Sequence, residues 1–184
     1  SPSFPDVSLA DGIVQLAVSQ GFIPVSQLTM TYDRGRFESG TGPTRNQVQI
    51  HWQQVVKKLN QYVGGKRYYR KWGHSYFGYV LGVELHKDGV FHAHAVVDNW
   101  ICFQLFHDWW QSKYGYAHTK IVKGDPVVSL RYVLKYVVKS DQIPAMFFQK
   151  RRRIVDPKTG RTIPEDTLTL GDAVKVPSGA FPPG

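Results

Sequence analysis

Cysteine is nearly absent: the 184 residues include one, Cys102. A single thiol closes no internal disulfide, so packing must hold the chain together and a reducing compartment fits. Cys102 lies in an apolar run with Trp100, Ile101 and Phe103 and reads as core. No apolar run approaches the ~20 residues of a membrane span, and no secretory signal is visible. A cytoplasmic protein without a membrane partner is therefore expected. No G-x-x-x-x-G-K-[ST] loop occurs, which excludes P-loop NTPase chemistry from this stretch. The chain opens on Ser1 rather than Met, as a fragment of something longer or a chain with a cloning scar would. Acidic residues are also scarce, 14 against 23 Lys and Arg. The resulting net charge of +9 points to an anionic partner, with nucleic acid the first candidate.

What is present is apolar and aromatic enough for one globular core, at 42% hydrophobic and 14% aromatic. A short helix is predicted over 8–20, a strand over 27–33, and an exposed loop with two arginines over 34–44. Thr44 is placed to cap a helix reaching Tyr62, with Val48, Trp52, Val55, Val56 and Leu59 at helical spacing. A basic-aromatic loop follows at 64–73. Strands are expected over 76–86 and 90–98, a helix over 100–113, a strand over 117–123, and a helix from Pro126 to Ser140. From Lys150 the composition turns to Pro, Gly and charge. The expected organisation is a domain over 1–149 and a basic, irregular tail over 150–184 with one short strand. The element order suggests an α+β fold, a ferredoxin-like antiparallel sheet with its helices on one face.

The stretch VFHAHAVVDN, residues 90–99, places two imidazoles on one face of an apolar strand. Lys87-Asp88-Gly89 reads as a three-residue hairpin loop with glycine at its positive-φ position. That register sets Glu84 opposite His92, so Glu84, His92 and His94 share a face. Val83, Leu85, Phe91, Ala93, Ala95 and Val97 take the other face, as a core face should. A two-residue loop would instead bury the Glu84 carboxylate among them, which is costly. Two imidazoles and one carboxylate form a three-point site with open positions, suited to a divalent metal, Mn2+ or Mg2+. His86, nearer the turn on the same face, is the alternative third ligand. A pair of exposed strand histidines is the competing reading.

LRYVLKYVVKS, residues 130–140, separates an apolar stripe (Leu130, Val133, Leu134, Val137, Val138) from Arg131, Tyr132, Lys135, Tyr136 and Lys139. Tyr132 and Tyr136 are four apart and fall one turn from each other. Their cationic neighbours would attract a phosphodiester. Amphipathic tyrosines covering a core edge would give the same pattern.

HAH at 92–94 on a strand, with Glu84 upstream and YVLKYVVK at 132–139 on a later helix, resembles the HUH endonucleases. The resemblance is strongest to the two-tyrosine rolling-circle replication initiators of phages with circular single-stranded DNA. LTMTY, residues 28–32, sits where that family carries its first strand-borne motif, and the likeness spans roughly 27–140. Ala93 is smaller than the residue usual between the two histidines. The resemblance implies the HUH nuclease fold and metal-assisted cleavage of single-stranded or hairpin DNA at a replication origin, in the cytoplasm of a bacterial or archaeal host. It implies His92, His94 and Glu84 as metal ligands and Tyr132 and Tyr136 as nucleophiles. A 5′-phosphotyrosine link would form and a priming 3′-OH would be released. Lys135 is expected to stabilise the phosphate or phenolate. A helicase domain or host helicase is a further implied partner.

DNA contacts are expected from GGKRYYRKWGH, where Lys66, Arg67, Arg70 and Lys71 alternate with Tyr68, Tyr69 and Trp72. Arg131, Lys139 and the run QKRRR at 149–153 are further candidates. The rival readings are a two-tyrosine transposase nuclease domain and a non-catalytic origin-binding or RNA-binding module. A conjugative relaxase fits less well, because its tyrosine precedes the histidine motif.

Overall fold

The computed structural model describes residues 11–139 (apart from 13, 16, 20 and 74), 146–149, 153–155, 158–160 and 162–164. Side chains are described as far as residue 133 and at 158–160. The predicted opening loop, much of the tail and residues 150–152 of the QKRRR run lie outside the described residues. Helical turns occupy the described residues between 11 and 19, where Val14 and Ala17 are buried. The elements that follow are β1 (Ser26–Tyr32), a 3-10 turn (Arg34–Arg36), α1 (Arg45–Gly64), α2 (Tyr68–Trp72), β2 (Tyr79–Leu85) and β3 (Phe91–Val97). Then come α3 (Phe103–Lys113), β4 (Gly115–Ile121), α4 (Pro126–Lys139), β5 (Met146–Gln149), β6 (Arg153–Val155) and β7 (Thr162–Pro164).

The sheet order is β4-β1-β3-β2-β5, and every neighbouring pair is antiparallel. β1 and β2 therefore run parallel on either side of β3, joined through α1. This is the split βαβ arrangement of ferredoxin-like α+β folds. Sequence spacing sets the local structure. Thr44 starts α1 with a full capping box: its hydroxyl accepts from the Gln47 amide at 3.2 Å, and its own amide donates to Gln47 Oε1 at 2.8 Å. One face of the sheet carries Leu28, Met30, Tyr79, Leu81, Val83, Ala93, Ala95 and Val97. It packs on Val48, Trp52, Val55 and Leu59 of α1 and on Phe106 and Trp110 of α3. The Trp110 indole also donates to the Thr31 carbonyl at 2.9 Å, fixing α3 to β1.

Three features differ from the sequence expectation. The helices do not all lie on one face: α4 crosses the opposite face, with Leu130 and Val133 buried against the sheet. Its apolar stripe needs apolar surface, and β2 and β3 offer Val80 and Val96 there. The basic-aromatic segment is not wholly a loop, because Tyr68–Trp72 close a short helix. The tail holds two short strands, β6 and β7, paired antiparallel. Among the described residues no helix is long and apolar enough to cross a membrane.

A polar cluster lies on the α1 side of β1. Tyr32 and His51 Nδ1 share a 3.0 Å hydrogen bond, and the His51 ring stacks on Tyr114 with centroids 3.9 Å apart. Burial raises the Tyr32 phenol well above its ordinary range, so it stays protonated and donates. His51 Nδ1 must then accept. Burial likewise lowers His51 to about 4, keeping the ring neutral. An unfolded histidine binds its proton near pH 6.5. The unfolded state thus gains the proton first as pH falls, and stability drops between about pH 6.5 and 4. His51→Asn keeps an acceptor for Tyr32 and removes the titration. Its thermal midpoint should depend less on pH across that window than the wild type; equal slopes would remove His51 from the acid response.

Candidate functional site

The β2–β3 hairpin builds the site. Gly89 closes the turn at φ 82°, its amide bonded to the His86 carbonyl at 2.9 Å. Asp88 Oδ1 accepts from the Val90 amide at 3.0 Å, and this bond, the largest cause, lowers the Asp88 pKa. The ladder pairs Glu84 with His92, Gly82 with His94 and Leu81 with Ala95. Glu84, His92 and His94 therefore occupy the sheet face opposite the main core.

Side-chain placement refines this. Glu84 Oε2 lies 3.2 Å from His94 Nε2 and 3.1 Å from His86 Nε2. Glu84, His86 and His94 each offer a donor atom, all within 4.8 Å of one another. One carboxylate oxygen and two imidazole nitrogens at such spacing suit a divalent cation. His92 is not in this group. Its ring stacks on His86, with centroids 3.4 Å apart and 18° between planes. Burial, then the neighbouring His86 charge, lowers His92 to about 4, so its ring is neutral near pH 7, the form a metal needs. His94 is the most enclosed of the set, at 5% exposure.

α4 brings Tyr132 to this face. Its ring meets His94 edge-on, with centroids 6.4 Å apart, and it is 37% exposed. Gly82 sets the approach: a Cβ there would lie 2.9 Å from the Val133 carbonyl oxygen. Any side chain at Gly82 must push α4 outward. Tyr136, one turn on, and Lys135 and Lys139 belong to the same helix, and their side chains lie outside the described residues. Arg131 forms an ion pair with Asp11.

The cation the structure sets against Tyr132 is Lys120 of β4, its Nζ 5.7 Å from the ring centroid. Sequence reasoning missed it. The available signal was the alternation of Tyr116, His118 and Lys120, all exposed on one side of β4. β1 links them to the centre, since Thr29 pairs with both His94 and His118 and Thr31 with Tyr116. By contrast, Lys66, Arg67, Arg70 and Lys71 are exposed around α2, where Trp72 packs against Gly64. They precede the start of β2, and Glu84 lies near its far end, roughly 17 Å along the strand. The structure does not bring them to the histidine face.

A family model for replication-associated protein ORF2/G2P matches residues 25–141. The chain belongs to the replication-associated protein ORF2/G2P family. The matched stretch runs from the start of β1 through α4 and so includes the hairpin and Tyr132. No curated protein and no solved structure matches the chain.

Three outcomes follow for this replication-associated protein. In calorimetric titration with Mn2+, His94→Ala should lose at least about tenfold in affinity, the scale of lost metal-site contacts. His86→Ala should lose more than His92→Ala, because His86 Nε2 stands 3.1 Å from the Glu84 carboxylate while His92 lies outside that group. The reverse order would make His92 the third ligand. Gly82→Ala should leave Mn2+ affinity near wild type yet impair any reaction that needs α4 seated; full activity would show that the helix position is not limiting.

Proposed function

We propose that this chain nicks and rejoins single-stranded DNA at a replication origin by tyrosine transesterification, initiating rolling-circle replication as a two-tyrosine HUH enzyme. The carrying observation is the approach of the Tyr132 ring to His94 beside the Glu84 carboxylate. A phenol of α4 and the Glu84–His94 face of β2 and β3 thereby meet at one place. Glu84, His94 and one ring of the stacked His86–His92 pair would hold Mn2+ or Mg2+. Such an ion, when bound, supplies positive charge for a non-bridging oxygen of the scissile phosphate.

The chain's own residues do the remainder. The Tyr132 oxygen attacks phosphorus, the bond to the 3′ oxygen breaks, and a 5′-phosphotyrosine remains. The phenol gives up one proton and the departing 3′ oxygen takes one, so the exchange is balanced and reversible by a later 3′-OH. Tyr136, one helical turn away, is proposed as the second nucleophile, so that cutting and joining alternate. Lys120 places a cation on the same face for the strand's phosphates, and Lys135 and Lys139 are proposed to add to it from α4. Exposed Tyr116 offers a ring on which an unpaired base can stack. The cations around α2 are proposed to hold flanking DNA.

The test is a denaturing gel of labelled single-stranded origin DNA incubated with Mn2+. An SDS-resistant protein–DNA band should form with Mn2+ and vanish with EDTA. Tyr132→Phe and Tyr136→Phe should each reduce nicking or joining, and only the double variant should lose every adduct. DNA binding without an adduct under any metal condition would leave a non-catalytic origin-binding module. Efficient joining of transposon ends in place of origin strands would favour a transposase.

A further inference from the structure

A cleft of about 720 Å3 opens on the other side of the same hairpin, between the β1–α1 connection and the turn at Gly89. Its walls include Arg36, Phe37, Glu38, Arg45 and Phe91. Two contacts join the loop to the hairpin: Arg34 pairs with Asp88 at 4.0 Å, and Gly42 lies against Val90, where a Cβ would meet its methyl at 3.3 Å. The Phe91 ring faces this cleft while the next residue, His92, faces the metal-binding side, so one strand forms a wall of both.

Arg45 is the unusual residue here. Its guanidinium carbon sits 5.7 Å from the Phe91 ring centroid, and its Nε is buried with no hydrogen-bond partner among the described residues. No carboxylate among the described residues forms an ion pair with it; Glu38 lines the cleft but does not reach it. Arg36, in contrast, is engaged by Asp33 at 3.6 Å and by the Gln111 carbonyl. A half-buried cation without a partner is costly, and burial holds the Arg45 pKa below its ordinary value. Arg45 is also the first residue of the 20-residue α1. The capping box satisfies the amides of Thr44 and Gln47, while those of Arg45 and Asn46, at the positive end of the helix, have no hydrogen-bond partner among the described residues.

We propose that this cleft is a second phosphate subsite for the bound single strand, with Arg45 and the open α1 amides holding one phosphodiester and Phe91 and Phe37 flanking its nucleotide. This rests on the single-stranded DNA reading above and extends it: the strand passes from the histidine face around the hairpin edge into the cleft. Arg45 is a binding residue here and takes no part in the chemistry.

Fluorescence anisotropy of a labelled oligothymidylate, measured at several salt concentrations, tests it. Each phosphate neutralised on a single strand contributes about 0.7 to the slope of log K against log salt. Arg45→Gln should flatten the wild-type slope by about that amount, and Arg45→Lys should restore most of it. Mn2+ affinity should stay at the wild-type value and the thermal midpoint should not fall below it in either variant, which separates a lost contact from a damaged fold. An unchanged slope in Arg45→Gln, with wild-type binding intact, overturns the subsite and leaves the DNA reading standing. Wild-type protein that shows no salt-dependent binding to the strand overturns both.

Discussion

The three-residue turn at Lys87-Asp88-Gly89 is the constraint on which the rest depends. A strand's side chains alternate with period two, so a slip of one residue exchanges its faces. With the turn as it stands, Glu84 meets His92, and Val83, Ala93 and Ala95 stay in the core. One residue fewer would put the carboxylate beneath α1 and the core residues on the opposite face. Gly89 supplies the positive φ, and Asp88 holds the Val90 amide. Two side-chain requirements of the turn thus set the geometry of a centre several residues away.

A second close approach completes the site. At Gly82 the β2 backbone is bare, and the Val133 carbonyl comes nearer than any Cβ would permit. The contact seats α4 across the sheet and brings Tyr132 to His94. The two faces of the sheet divide the work. The α1–α3 face buries large side chains and fixes the strands; the α4 face is half covered and carries imidazole, carboxylate, phenol and ammonium groups. A sheet closed on one side and partly open on the other holds its functional groups on strands, where packing beneath limits their movement.

Much of the framework was legible because it follows from local rules. The period-two pattern in 79–97 with its turn residues gave the hairpin and its register, and the Thr44 cap with the 3.6-residue spacing of Val48 to Leu59 gave α1. What was not legible depends on tertiary choice. The apolar stripe of α4 does not say which face of the sheet it will cover. Gly82 reads as an unremarkable strand residue until the helix above it is known. His86 lies just past the end of β2, so strand alternation ranks it below His92, yet its side chain turns back to Glu84. Lys120 and Arg45 were passed over for opposite reasons. Lys120 is one lysine of many until β4 is placed beside β1, and Arg45 is a first-turn residue whose missing partner is visible only in three dimensions.

The central claim is that a tyrosine of α4 becomes joined to DNA over the hairpin face. Peptide mapping by mass spectrometry of the protein trapped on a single-stranded origin substrate tests it most directly. The account predicts a 5′-phosphonucleotide on the peptide that carries Tyr132 and Tyr136. An adduct on Tyr32, Tyr79 or Tyr116, or cleavage that leaves no protein-linked nucleotide at all, would contradict it.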